Sequence, residues 1–201
     1  MLSGDFYWFR RIETPANNLS ISIVADCTGH GVPGALLSML GISYLNDIII
    51  NQNEYRPDVI LNKLRDYFIN TLQQMDNQHI VNDGLDIAVS VIDNTTDILY
   101  YAGANRNIYL VRNNQLNIVK GDRMPIGKHI NGLIPFTNSR IKLNDHDNIY
   151  MFTDGFADQF GGKNGTKFMR KRFRKLLLSV QNESFENQKN IMNRHFNQWR
   201  G

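Results

Sequence analysis

The chain has a single cysteine, Cys27, among 201 residues. That excludes an internal disulfide framework and any zinc module built on several cysteines, and it makes a reducing compartment, the cytoplasm, the expected location. Excess charge is missing too. With 22 basic against 19 acidic side chains the balance is +3, too weak to demand a nucleic acid or membrane partner, and neither is expected. The most apolar stretch, 35–50, is interrupted by Ser38, Ser43, Asn46 and Asp47. It falls short of the roughly 20 apolar residues that cross a bilayer, so no membrane span is expected. The opening residues MLSGDFYWFRR lack the charged head and apolar core of a signal peptide. No Walker-type Gly-Lys-Ser/Thr loop is present, and parallel β–α alternation is absent, which argues against a nucleotide-binding fold. A composition of 42% apolar and 20% charged residues excludes a disordered or collagen-like chain. One domain over 1–201 is the expectation, with a core large enough to need no staple.

Periodicity then orders the chain. Residues 6–9 are a short aromatic run, and in 19–25 Leu19, Ile21 and Ile23 alternate with Ser20 and Ser22, so both segments are predicted strands. The turn DCTGHGVPG follows, with Pro33 where a helix can begin. Leu36, Leu37, Leu40, Tyr44, Leu45, Ile48 and Ile49 recur at helical spacing, and Pro57 opens a second helix with the stripe Ile60, Leu61, Leu64, Phe68, Leu72 and Met75. Period two returns at Leu85, Ile87, Val89 and Val91. Hairpins are predicted through 93–96 and through Asn113-Asn114. Strands at 140–143 and 148–153 and helices at 168–180 and 185–199 complete the order. Strands, two helices, a run of antiparallel strands and further helices predict an α+β domain.

Chemistry concentrates in three acidic turns. Asp5 follows Gly4 before a strand, Asp26 ends an apolar strand in ADCTGHG, and Asp154-Gly155 follows the apolar segment IYMFT. A carboxylate at a strand end beside glycine can present its oxygens, together with backbone carbonyls, to a hard cation such as Mg²⁺ or Mn²⁺. Each turn taken alone is also ordinary turn chemistry.

The segments SGDFYWF, ADCTGHGVPGALLSMLG, DGLDIAVSVID, LYYAGANRNIYLVR, KGDRMPIG and IYMFTDGFADQFGG stand in the order and spacing of the SpoIIE-like branch of the PPM metal-dependent Ser/Thr protein phosphatases, which the chain resembles over nearly its whole length. The resemblance implies a PPM-type αββα sandwich, two antiparallel sheets flanked by helices. It implies that Asp5, Asp26 and Asp154 are the catalytic metal ligands, that Cys27 adds its backbone carbonyl, and that two Mn²⁺ or Mg²⁺ ions activate a water against phosphoserine or phosphothreonine. A regulatory phosphoprotein such as an anti-sigma-factor antagonist would be the substrate, and a sensory or regulatory module would lie upstream, in bacterial signalling. Relative to that family, a strand before SGDF and a last strand with a Val-Asp-Asp motif are not in the sequence. The expectation is a domain truncated at both ends, with weakened metal binding. A catalytically impaired interaction module and a small-molecule phosphohydrolase are the alternatives.

Other residues carry weaker signals. Cys27-x-x-His30 has the makings of a metal pair or of a thiolate and its base, but a zinc site needs three or four ligands. His30 is expected near the site, and Gly155 and Asn105 beside it. Alternation puts Asp86 on the strand face opposite Leu85 and Ile87, where a supporting hydrogen-bond role, direct metal contact and plain exposure all remain open. The run Lys167, Arg170, Lys171, Arg172, Arg174 and Lys175 reads as the solvated face of a helix or as a dock for an acidic partner.

Overall fold

Inward and outward residues alternate without a break along 18–27. Leu19, Ile21, Ile23, Ala25 and Cys27 are buried, while the residues between them are half-buried, as a strand with one face on a core requires. A computed structural model describes residues 4–29, 31–75, 84–128 and 134–201. It runs β1 (Phe6–Glu13), β2 (Asn18–Cys27), α1 (Val32–Asn46) continued by a π-helical turn (Asp47–Asn51), α2 (Pro57–Met75), β3 (Leu85–Asp93) and β4 (Ile98–Ala104). After these come β5 (Ile108–Arg112), β6 (Gln115–Val119), β7 (Ser139–Lys142), β8 (Asn148–Tyr150), the one-turn α3 (Gly155–Asp158), β9 (Phe160–Gly161), β10 (Thr166–Lys167), α4 (Arg170–Val180) and α5 (Phe185–Arg200).

The chain divides into two compact units, Met1–Ile108 with Val119–Asn144, and Tyr109–Ile118 with Asp145–Gly201. The first holds a five-stranded antiparallel sheet in the order β1-β2-β3-β4-β7. One face of that sheet, through Ile21, Ile23, Ile87 and Val89, packs with Leu37 and Leu45 of α1 and Ile60, Leu64 and Phe68 of α2 in a single apolar cluster. In the second unit, β6-β5-β8 form a three-stranded sheet and β9-β10 a small hairpin. Its own cluster gathers Tyr109, Phe168, Phe173, Leu176, Leu177 and Val180. Both sheets are antiparallel where their pairing is described, and the α+β class expected from the element order is the class observed.

The structure corrects three details of the sequence reading. The last apolar strand ends at Tyr150 instead of reaching Thr153, and α3 and the β9-β10 hairpin follow the acidic turn. The first helix does not end as a regular α-helix but passes into the π turn, where Gln52 N–H donates to the Asp47 carbonyl. With that turn the helix runs 20 residues, Val32–Asn51, at a mean hydropathy of 1.4. By length and composition alone it is therefore long and apolar enough to cross a membrane, where the sequence reading put the stretch short. Its Leu37, Leu45, Ile48 and Ile49 are buried in the core of the first unit.

Candidate active site

Antiparallel register builds the centre of the site. Phe6 pairs with Ala25, so Asp5, one residue before β1, comes beside Asp26; Asp26 in turn pairs with Asp86 of β3. Three carboxylates from three adjacent strands thus form one cross-strand row, on the sheet face turned away from α1 and α2. Directly paired residues carry their Cβ atoms about 5 Å apart, and like charges at that spacing repel. Asn105, just past β4, closes the row: its Nδ2 donates to Asp86 Oδ1 at 2.9 Å. Asp86 is thus held by a hydrogen-bond donor and, at 3.7 Å, by the guanidinium of Arg106.

Arg106 is the residue that sequence reasoning missed. Its Nη2 donates to Asp26 Oδ2, and its side chain is only 10% exposed. The signal was a lone arginine in AGANRNIYL, between two apolar strands, where an unpaired charge could not be buried. The bend that carries it is tightly built. Asn105 takes a positive φ of 53°, the buried Tyr101 hydroxyl donates to the Arg106 carbonyl, and Asn105 N–H donates to the Asp122 carbonyl at 2.8 Å. A Cβ at Gly103 or at Gly121 would collide with that same Arg106 carbonyl, so both backbones approach it as only glycine allows.

The turn after Asp26 is anchored from the other side. Thr28 N–H donates to the Gly84 carbonyl at 2.9 Å, and Gly84 N–H donates to Thr28 Oγ1 at 3.0 Å. Gly29 and Gly31 have φ of 85° and 71°, which turns the chain into α1. Gly29-His30-Gly31-Val32-Pro33-Gly34 has the G-x-G-x-x-G spacing, but it follows a strand of an antiparallel sheet and serves no βαβ unit. Gly4 lies close to Cys27, where an added Cβ would stand 3.1 Å from the carbonyl oxygen and 3.1 Å from Cys27 Cβ. The Cys27 thiol is buried, and burial first, then the charges of Asp26 and Asp5, push it up to about 12. A buried, protonated thiol lacks the character of an activated nucleophile, which argues against the Cys–His reading of this turn. His30 lies outside the described residues.

Asp154 and Gly155 belong to the second unit. Asp154 is the N-cap residue of α3, its carbonyl accepting from Asp158 N–H at 2.8 Å, and it is half-buried. Gly155 is exposed, and an added Cβ would meet nothing closer than Thr153 Oγ1 at 3.9 Å. Of the expected residues, then, the first unit brings together Asp5, Asp26, Cys27, Asp86 and Asn105. Among the described residues, no group of three or more His, Cys, Asp or Glu forms a metal cluster. The row offers carboxylate oxygens, with the Cys27 carbonyl nearby, the donor type that hard cations such as Mg²⁺ and Mn²⁺ take and zinc–thiolate sites do not.

A family model described as Stage II sporulation protein E (SpoIIE) matches residues 17–200. Among solved structures, the SiaA-PP2C domain of Pseudomonas aeruginosa is similar with a TM-score of 0.84 and 28% identity, over 100% of this chain and 75% of that one. The PP2C phosphatase domain of SpoIIE from Bacillus subtilis, solved with a fragment of its regulatory domain, matches at 0.72 and 15% identity, over 98% of this chain and 53% of that one. The RsbU and RsbW domains of a Mycobacterium tuberculosis protein match at 0.68 and 19%, over 96% and 49%. The chain spans about half the length of these last two, and at such identities they speak for the fold alone. No curated protein sequence matches. With nearly all of its residues covered by the family model and its fold shared with PP2C-type phosphatase domains, the chain belongs to the SpoIIE family.

Proposed function

We propose that the chain is a Mg²⁺- or Mn²⁺-dependent phosphatase domain that removes phosphate from serine or threonine of a regulatory protein. The observation that carries this is the cross-strand row of Asp5, Asp26 and Asp86 at the end of the five-stranded sheet, on a fold shared with PP2C-type phosphatases. Asp5, Asp26 and the Cys27 carbonyl of the first unit would hold the cations, and the family resemblance gives Asp154, in the TDG turn, a metal-ligand role as well. Cations bound there would supply Lewis acidity, making a water a better nucleophile and offsetting negative charge on the phosphoryl group. Around that chemistry the chain's residues position and support. Asn105 holds Asp86 in one orientation, the Thr28–Gly84 hydrogen bonds fix the turn after Asp26, and Tyr101 fixes the bend that carries Arg106. The substrate would be a phosphoprotein of a bacterial switch such as an anti-sigma-factor antagonist, with a sensory or regulatory module upstream and a cytoplasmic location. The regulatory setting is proposed on the family alone; structures that share the fold are described as RsbU and RsbW domains of one protein and under the bacterial stressosome.

One observation favours a second reading, an interaction module without turnover: Asp26 already has the Arg106 guanidinium as its partner. Mn²⁺-dependent hydrolysis of p-nitrophenyl phosphate and of a phosphoserine peptide separates the two. Turnover that disappears in Asp26→Asn and in Asp154→Asn supports the phosphatase. A folded protein that neither binds Mn²⁺ nor turns over either substrate supports the module. Activity on p-nitrophenyl phosphate and small phosphate esters but on no phosphopeptide moves the substrate class to small molecules.

A further inference from the structure

The acidic row carries a problem that the protein has solved with its own side chain. Three aspartates side by side in the sheet repel, and a positive charge stands against them within the first unit: Arg106, in hydrogen-bond contact with Asp26 and 3.7 Å from Asp86. The guanidinium is 10% exposed, Asp26 and Asp86 are 24% and 34% exposed and Asp5 is exposed, so water screens the Arg106–Asp26 contact least and the outer end of the row most. Nor is the arginine a chance occupant of the space. Tyr101, Gly103, Gly121 and the positive φ of Asn105 all converge on its backbone and fix the bend from which the side chain reaches the row.

We propose that Arg106 is a resident counter-ion of the Asp5–Asp26–Asp86 row, which a divalent cation must displace from Asp26 in order to bind. The inference rests on the reading of Asp5 and Asp26 as cation ligands. A carboxylate oxygen that accepts from a guanidinium has one lone pair fewer to offer a metal ion, and a guanidinium and a metal ion held at the same carboxylate repel each other. Arg106 therefore holds the row together in the metal-free protein and sets a threshold against weak occupancy. Lysine in its place would keep the charge but lose the planar, delocalised guanidinium whose Nη2 faces both Asp26 and Asp86.

The test uses the whole chain and a readout independent of turnover. Mn²⁺ binding is measured by calorimetry for the wild type, Arg106→Gln and Arg106→Lys, with near-UV circular dichroism confirming each fold. In parallel, the ¹⁵Nε–Hε resonance of Arg106, assigned by its loss in Arg106→Gln, is followed while Mg²⁺ is added to the wild type. Displacement predicts that Arg106→Gln binds Mn²⁺ about tenfold tighter or more, with Arg106→Lys between it and the wild type. It also predicts that the Arg106 resonance moves with the same midpoint as Mg²⁺ binding. Mg²⁺ saturation with the Arg106 resonance unmoved, or a folded Arg106→Gln that binds Mn²⁺ no tighter than wild type, overturns the displacement and leaves the metal reading standing. Absence of binding by the wild type and by a folded Arg106→Gln, up to millimolar metal, overturns both.

Discussion

Replacing Tyr101 by Phe removes one oxygen atom from the interior of the first unit, and the structure says what that atom does. Tyr101 is fully buried, and its hydroxyl donates to the carbonyl of Arg106, which the backbones of Gly103 and Gly121 approach closely. Without the hydroxyl that carbonyl loses a donor in a place with little room for water. An acceptor left unsatisfied in this way costs about 1–3 kcal/mol. In a chain of this length each kcal/mol lowers Tm by about 2–4 °C, so the variant should melt roughly 2–12 °C lower. A pH series adds a second constraint. Burial first, and the charge of Asp122 second, hold the Tyr101 hydroxyl above its ordinary value in the folded chain. Its contribution is whole below the unfolded value near pH 10 and is lost as the pH rises from there toward the folded value, at up to about 1.4 kcal/mol per pH unit. Phe has no such term. The stability gap between wild type and Tyr101→Phe, measured by urea unfolding, should therefore stay constant between about pH 6 and 9 and narrow above about pH 10. A gap below about 0.5 kcal/mol at pH 7, or one that fails to narrow at high pH, would refute the reasoning.

Three further outcomes follow from the same packing. Cys27 should resist iodoacetamide in the native protein at pH 7.5 and label fully in urea, as mass spectrometry can read; rapid native labelling would contradict its burial and raised pKa. In the second unit Arg112 pairs with Asp147 through Nε at 2.9 Å and Nη2 at 2.5 Å, and the Asp147 side chain is 4% exposed. Arg112→Gln should lower the urea midpoint because it takes a two-pronged charged partner from a buried carboxylate, and an unchanged midpoint would show Asp147 well served without it. Trp199 packs edge-on against Phe168, lies under Arg172, and donates from Nε1 to the Gln159 carbonyl at 3.0 Å. Trp199→Ala should cost about 3 kcal/mol and shift the thermal midpoint seen by circular dichroism, whereas Phe in its place should recover much of the loss.

Reading the elements from sequence worked where the signal is local. The alternation of Leu19, Ile21 and Ile23, the stripe from Ile60 to Leu72 and the hairpin asparagines Asn113 and Asn114, both at positive φ, are properties of consecutive residues, and each element stands where the pattern put it. It failed where neighbours outside the segment decide. Residues 151–153 are as apolar as a strand, yet β8 stops at Tyr150, and Phe152 packs against Tyr109 and Phe173 instead. The π turn at Asp47 likewise depends on Gln52 and on Tyr67 of α2, whose side chains both donate to the Asp47 carboxylate.

The site divides along the same line. Sequence by itself determined that Asp5 and Asp26 stand at strand ends beside glycine-bearing turns, that Asp154 opens the TDG turn, and that the chain resembles a phosphatase family, because motif and periodicity are written in the order of residues. Only the tertiary structure decided that Asp5, Asp26 and Asp86 share one cross-strand row, that Asn105 and Arg106 bind its carboxylates, and that the Cys27 thiol is buried. Register joins residues about 20, 60 and 80 positions apart, and the periodicity of a single strand says which face a side chain takes but not which charge will stand opposite it.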